Sequence, residues 1–260
     1  MRRSLALTLA ASAFLASPAR SSADDLVVHP GIDIPVTLFA GALAGGLALP
    51  QLSPSRCRFC AVPGLDEAAR EVIRLPGVGA QLDARHVSDV INIGVLTVGA
   101  LTLSAVGAAQ DGERRVFFED ALVIAQSVAI ASVLVNASKD VFARPRPAAG
   151  AAFMPGSRDR SFYSGHTSFA FSMATSAATV ATIRGRSWAP WMWGIGLTLA
   201  SGVGYLRMAG DAHWLTDVLA GAALGGAVGF AVPWVFHRAT GPRRRGVDLQ
   251  PAPGGFALVF

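Results

Sequence analysis

Residues 204–218 read GYLRMAGDAHWLTDV, and within eleven of them stand Arg207, Asp211, His213 and Asp217. The chain is apolar on both sides, over 188–206 before this stretch and 218–236 after it. Apolar runs of about 20 residues are long enough to cross a bilayer as helices. Gly210 is a natural helix stop and Asp211 a natural N-cap, so the stretch reads as a tight turn between two helices. Four ionisable groups in so oily a setting need a chemical explanation.

Working outward, five apolar blocks follow one another, at 87–109, 116–138, 164–183, 188–206 and 212–236. They are rich in small residues, which let helices approach closely in lipid. Gly221, Gly225 and Gly229 recur every fourth residue and form a close-packing stripe. Hydrophobic residues make up 52% of the 260 and charged residues 15%, and the mean hydropathy is +0.45. This balance predicts an all-α transmembrane bundle of about five spans over 87–240 rather than a soluble domain. The net charge of +5 is spread over scattered arginines. No aromatic-and-basic surface of the kind that binds nucleic acid is visible, so nucleic acid is excluded as a partner.

Arg2 and Arg3, a short apolar run, then Ser21-Ser22-Ala23 before Asp24 predict a signal peptide over 1–23, with an uncleaved anchor as the alternative. Residues 24–86 read as an exported segment with short helices, one amphipathic over 65–75. The apolar run 34–49 is short and interrupted by glycines, which predicts an interfacial helix. The parity of the spans closes only if it does not cross. Basic connections at 114–115, 184–186 and 237–245 belong on the cytoplasmic side. The remaining connections, 139–163 and 207–211, then share the outer face of a bacterial membrane.

Those outer connections hold nearly all the chemistry. KDVFARPRP (139–147) supplies Lys139, the only lysine beside 21 arginines, and Arg146 on a proline-stiffened loop. SFYSGHTS (161–168) puts Ser164, Gly165 and His166 at the mouth of a helix. Helix-start amides favour an anion there, Gly165 admits it closely, and His166 can donate a proton to a leaving oxygen. His213 and Asp217, four apart, fall on one helix face with Cβ atoms about 5–6 Å apart. A carboxylate holding one imidazole nitrogen leaves the other free to act as a nucleophile. With Arg207, three cations converge on what suits a phosphate and its more charged transition state. A shuffled chain of this composition would contain about 0.02 copies of Arg-x5-His-x3-Asp.

The three motifs resemble the signature of the phosphatidic-acid phosphatase type 2 superfamily: Lys-x6-Arg-Pro, Pro-Ser-Gly-His and Ser-Arg-x5-His-x3-Asp. The resemblance covers about 87–236, with Tyr163 in place of the proline and Leu206 in place of the serine. It implies that His213 is phosphorylated, that Asp217 orients it and that His166 protonates the leaving group. It further implies that Lys139, Arg146, Arg207, Ser164 and Gly165 hold the phosphate, with neither metal nor cofactor.

The expected activity is hydrolysis of phosphate monoesters or diphosphates of lipid-type substrates, polyprenyl diphosphates included, at a periplasm-facing site among membrane lipids. A soluble periplasmic acid phosphatase and a vanadate-dependent haloperoxidase are the alternatives. Cys57-x2-Cys60 reads as a local disulfide or two unpaired thiols. Asp140 reads as a partner of Lys139. The tail, 241–260, alternates in apolar character and has no functional reading.

Overall fold

The computed structural model describes residues 26–49, 57–148 and 158–239 with side chains, and 248–252 and 255–259 as backbone. The expected signal peptide, 1–23, lies outside the described residues.

Helix α1 spans Pro30–Leu47, α2 Gly64–Ile73 and α3 Val78–Asp89. α3 runs on through a π-helical segment, Val90–Thr97, into α4, Val98–Asp111. Gly112, at a φ of 73°, ends α4 in the left-handed conformation. α5 is Arg114–Phe142, α6 Gly165–Ile183 and α7 Ala189–Ala209. α8 is Leu215–Ala231, extended by a π turn over Val232–Phe236. The bundle is all-helical as expected, and antiparallel strands β1, Asp248–Ala252, and β2, Gly255–Val259, lie in the tail.

α6 is the hub, packed against α5, α7 and α8. Its buried face is hydroxyl-rich, with Thr167, Ser168, Ser172, Thr175, Ser176 and Thr179 all inside. Several of these side chains bond carbonyls one turn back, as Thr175 Oγ1 does to Phe171 O (2.7 Å) and Thr179 Oγ1 to Thr175 O (2.6 Å). The glycine stripe of α8 lies directly on this face. A Cβ on Gly221 would stand 2.7 Å from Ser164 O, one on Gly225 2.3 Å from Ser168 O, and one on Gly229 2.4 Å from Ser172 O. Only glycine permits that approach. It carries the first turn of α8 to the mouth of α6, where Ser164 N donates to Asp217 O (3.0 Å).

Among the described residues four helices are long and apolar enough to cross a membrane: Pro30–Leu47, Val78–Asp111, Arg114–Phe142 and Leu215–Phe236. α6 and α7 do not reach the same apolarity, and α6, encased by protein, has little lipid to face. α1, expected as an interfacial helix, runs lengthwise along α5, with Asn136 Nδ2 donating to Ala44 O (3.1 Å). Its N-terminal approach meets the far end of the bundle, where Val27 N donates to His237 O (2.7 Å). Its C-terminus meets the near end, where Arg160 Nη2 donates to Leu47 O (2.9 Å).

Candidate active site

The three motif connections open on that near end. Lys139 occupies the last turn of α5, which stops where Ala143 turns left-handed at a φ of 44°. Ser164 caps α6, its side chain accepting from Thr167 N (3.4 Å) and Thr167 Oγ1 (2.9 Å). A Cβ on Gly165 would stand 3.2 Å from Lys139 Nζ, so the ammonium lies against the start of α6.

The helix start expected at Ala212 is displaced. Trp214 is the N-cap of α8, and the Asp217 carboxylate reaches back to its backbone N–H (3.0 Å). His213 therefore precedes the helix while Asp217 sits in its first turn. Asp211 is not the cap. It adopts a φ of 55° and receives a bidentate pair from Arg70 (2.6 and 2.8 Å).

Arg146 Nη1 donates to Ala212 O (2.9 Å) and faces His213 Nε2 at 3.1 Å. A guanidinium can only donate, so Nε2 holds the lone pair and the proton sits on Nδ1. Nδ1 faces Asp217 Oδ2 at 3.6 Å, too far for a hydrogen bond, and is buried without a partner. Catalytic hydrogen bonds commonly tighten once substrate is bound.

Asp217 is held elsewhere. Ser161 Oγ donates to Oδ2, and Arg144 Nη1 to Oδ1 (2.6 Å). The other arm of Arg144 reaches Asp66 of α2 (2.5 Å), which also accepts from Thr216 N and Oγ1, both at 2.8 Å. Asp66 and Asp217 are fully buried. A brace from residues 64–73 thus fixes the carboxylate beneath His213.

His166 Nε2 lies 3.0 Å from Asp89 Oδ1. Arg207 Nη1 reaches Ser88 Oγ (3.2 Å) and the same Asp89 oxygen (3.3 Å), and its Nε is buried without a partner. Burial first, then Arg146, Arg207, Lys139 and His166, hold His213 well below the ordinary histidine value. Three connections therefore bring their charges to one imidazole. Burial and Arg207 push Arg146 down to about 10, so it is still a cation at neutral pH. Among the described residues no group of three or more His, Cys, Asp or Glu is placed to hold a metal ion.

All eight residues singled out by motif stand at this end of the bundle. Asp140 pairs with Arg160 rather than Lys139. Cys57 and Cys60 form a disulfide, and the backbone between them pins to α5, Arg58 N and Phe59 N donating to Ala143 O and Phe142 O (3.2 Å each). Spacing did not reveal Asp66, Arg70, Arg144, Ser161, Ser88 or Asp89. Arg144 lies inside the first motif stretch, but its partners are more than 70 positions away.

A family model described as the PAP2 superfamily matches residues 120–240. Lipid A 1-phosphatase of Porphyromonas gingivalis is 31% identical over 188 residues, which cover 72% of this chain and 38% of that protein. The chain thus spans well under half the length of that relative. The crystal structure of Aquifex aeolicus LpxE is 22% identical, covering 68% of this chain and 98% of its own, with a TM-score of 0.47. That of a transmembrane PAP2-type phosphatidylglycerolphosphate phosphatase from Bacillus subtilis is 21% identical, covering 77% and 93%, with a TM-score of 0.48.

Proposed function

We propose, from the match of residues 120–240 to the PAP2 superfamily model, that the chain belongs to that superfamily and is a membrane phosphatase hydrolysing phosphate esters or diphosphates of lipid-type substrates. The observation that carries the proposal is the approach of Arg146 Nη1 to His213 Nε2 (3.1 Å), with Arg207, Lys139 and His166 within electrostatic reach of the same ring. A phosphate seated among the three cations and the amides at Gly165 and His166 presents phosphorus to the Nε2 lone pair. Asp217 stabilises the charge His213 acquires, and His166 protonates the departing oxygen. Water, deprotonated by His166, then releases phosphate from the phosphohistidine.

A lipid-type substrate is supported by the lipid A 1-phosphatase relative and by an apolar groove of about 480 Å³. The groove, lined by Leu96, Gly99, Leu103, Met173, Ala177 and Leu199, begins one turn beyond Asn92. Asn92 Nδ2 donates to His166 O (3.1 Å), so an acyl chain in the groove has its head beside the site. Four membrane-length helices weigh against the soluble alternative.

The site faces the periplasm in this reading. The Cys57–Cys60 disulfide beside α5 suits an oxidising compartment, and the basic stretches 114–115 and 238–245 suit the opposite side. That orientation sets Leu26 on the cytoplasmic side, whereas cleavage after residue 23 by an export signal would set it outside. The two expectations are alternatives. An impermeant maleimide labelling Arg158→Cys but not Glu113→Cys in intact cells supports the outward site; the reverse overturns it.

His213→Ala tests the chemistry. Phosphate release from lipid phosphates is expected to fall to background, along with acid-labile ³²P on the protein. Unchanged release removes the nucleophile and the proposal with it.

A further inference from the structure

The last residues of α3 and the π-helical segment that follows them touch the site at three residues that the motifs do not contain. Ser88 and Asp89 meet Arg207 (3.2 and 3.3 Å), Asp89 meets the His166 ring (3.0 Å), and Asn92 holds the His166 carbonyl (3.1 Å). π segments inside α-helices recur at functional sites. Asp89 and His166 are partly open, with side chains 42% and 41% exposed, while His213 is 1% exposed. The pair therefore stands at the mouth, on the side from which a leaving group departs.

His166 carries a difficult charge requirement. To act as an acid it must be an imidazolium, yet Arg207, Lys139 and Arg146 all lie within electrostatic reach. Like charges disfavour the protonated form, and a carboxylate in contact favours it. Asp217 is committed to Ser161, Arg144 and Trp214 N. Asp89 is the carboxylate that touches the His166 ring.

Resting on the phosphatase reading above, we propose that Asp89 is a positioning residue. It holds His166 as the proton donor and, by its own charge, directs the site toward esters with an uncharged alcohol as leaving group and away from diphosphates. In the first step His213 Nε2 forms its bond to phosphorus. The bond from phosphorus to the alcohol oxygen breaks, its electron pair stays on that oxygen, and the proton on the His166 ring nitrogen that Asp89 does not hold moves there. In the second, water bonds to phosphorus and its proton returns to His166. The phosphorus–nitrogen bond breaks, and its pair returns to His213. Asp89 stays ionised throughout, and a departing phosphate would meet its repulsion.

The test uses the full chain in detergent with Asp89→Asn and Asp89→Glu, on three substrates: an alkyl or lipid monophosphate, p-nitrophenyl phosphate and a polyprenyl diphosphate. Because general-acid assistance supplies about 10²–10⁴ in rate to poor leaving groups, Asp89→Asn is expected to lower kcat on the alkyl ester by about 100-fold. The nitrophenyl ester, whose leaving group needs little protonation, changes by less than about 3-fold. The diphosphate-to-monoester ratio of kcat/KM rises by about 10-fold, and Asp89→Glu recovers most of the alkyl activity. Equal losses on alkyl and nitrophenyl esters, or no loss on either, overturn the proposal. A His213→Ala variant that still released phosphate would instead remove the underlying reading, whatever Asp89 did.

Discussion

The arginines at the far end of the bundle and the motif arginines at the near end keep different company. At the far end Arg184, fully buried, meets Asp120 (2.9 Å) and Glu119 (2.8 Å), and Arg186 pairs bidentately with Asp111. Each guanidinium there closes on carboxylates and ties α4, α5 and the α6–α7 connection together. At the near end Arg70, Arg144 and Arg160 also close on carboxylates, but Arg146 donates to a backbone carbonyl and faces an imidazole, and Arg207, beside its contact with Asp89 (3.3 Å), keeps a buried Nε without a partner. Lys139 lies against the start of α6. The sequence expectation that 184–186 is simply a basic cytoplasmic flank is refined by this contrast, since both arginines there are interior.

The comparison breaks most sharply if the near-end cations prove structural. Arg207→Ala is expected to lower kcat/KM on a lipid phosphate by about 10³-fold, as removal of a transition-state donor does, with the thermal midpoint nearly unchanged. A collapse in stability with kinetics preserved would place Arg207 with Arg184. At the far end, Arg184→Ala takes the guanidinium from the buried Asp120 while Glu119 keeps Arg115, and is expected to destabilise by about 3–5 kcal/mol in detergent unfolding, with KM held. Gly225→Ala sharpens the link between packing and site. Its Cβ meets the Ser168 backbone, which is expected to cost about 1–3 kcal/mol and to lower kcat by shifting Asp217 against Ser164.

The smallest effect is in pH. A histidine whose value is lowered stays neutral as pH falls, so His213 is expected to show no titration between pH 5 and 8 in ¹³C-histidine spectra. A His213 signal titrating near 6.5 would mean that the pocket is neither as buried nor as positive as the geometry has it.

Periodicity and spacing carried the reading wherever the relation was local. The apolar blocks, Ser164 as a cap, Gly210 as a stop, the amphipathic helix near 65–75 and the glycine stripe all follow from residues a few positions apart. The motif residues were legible because chemistry demands those types at those intervals. Local rules misled at 211–214, where the Asp217 side chain, rather than Asp211, satisfies the first amide of α8.

Amino-acid order alone determined that this chain is a helical membrane protein with an anion-seeking cluster at one end, because hydropathy and spacing are properties of neighbours. Only the tertiary structure decided that Asp66 and Arg144 brace Asp217, that Asp89 meets His166, and which arginines are spent on carboxylates. The partners Asp66–Arg144, Arg144–Asp217 and Asp89–His166 lie 73 or more positions apart, and no local signal records which distant side chains burial will bring together.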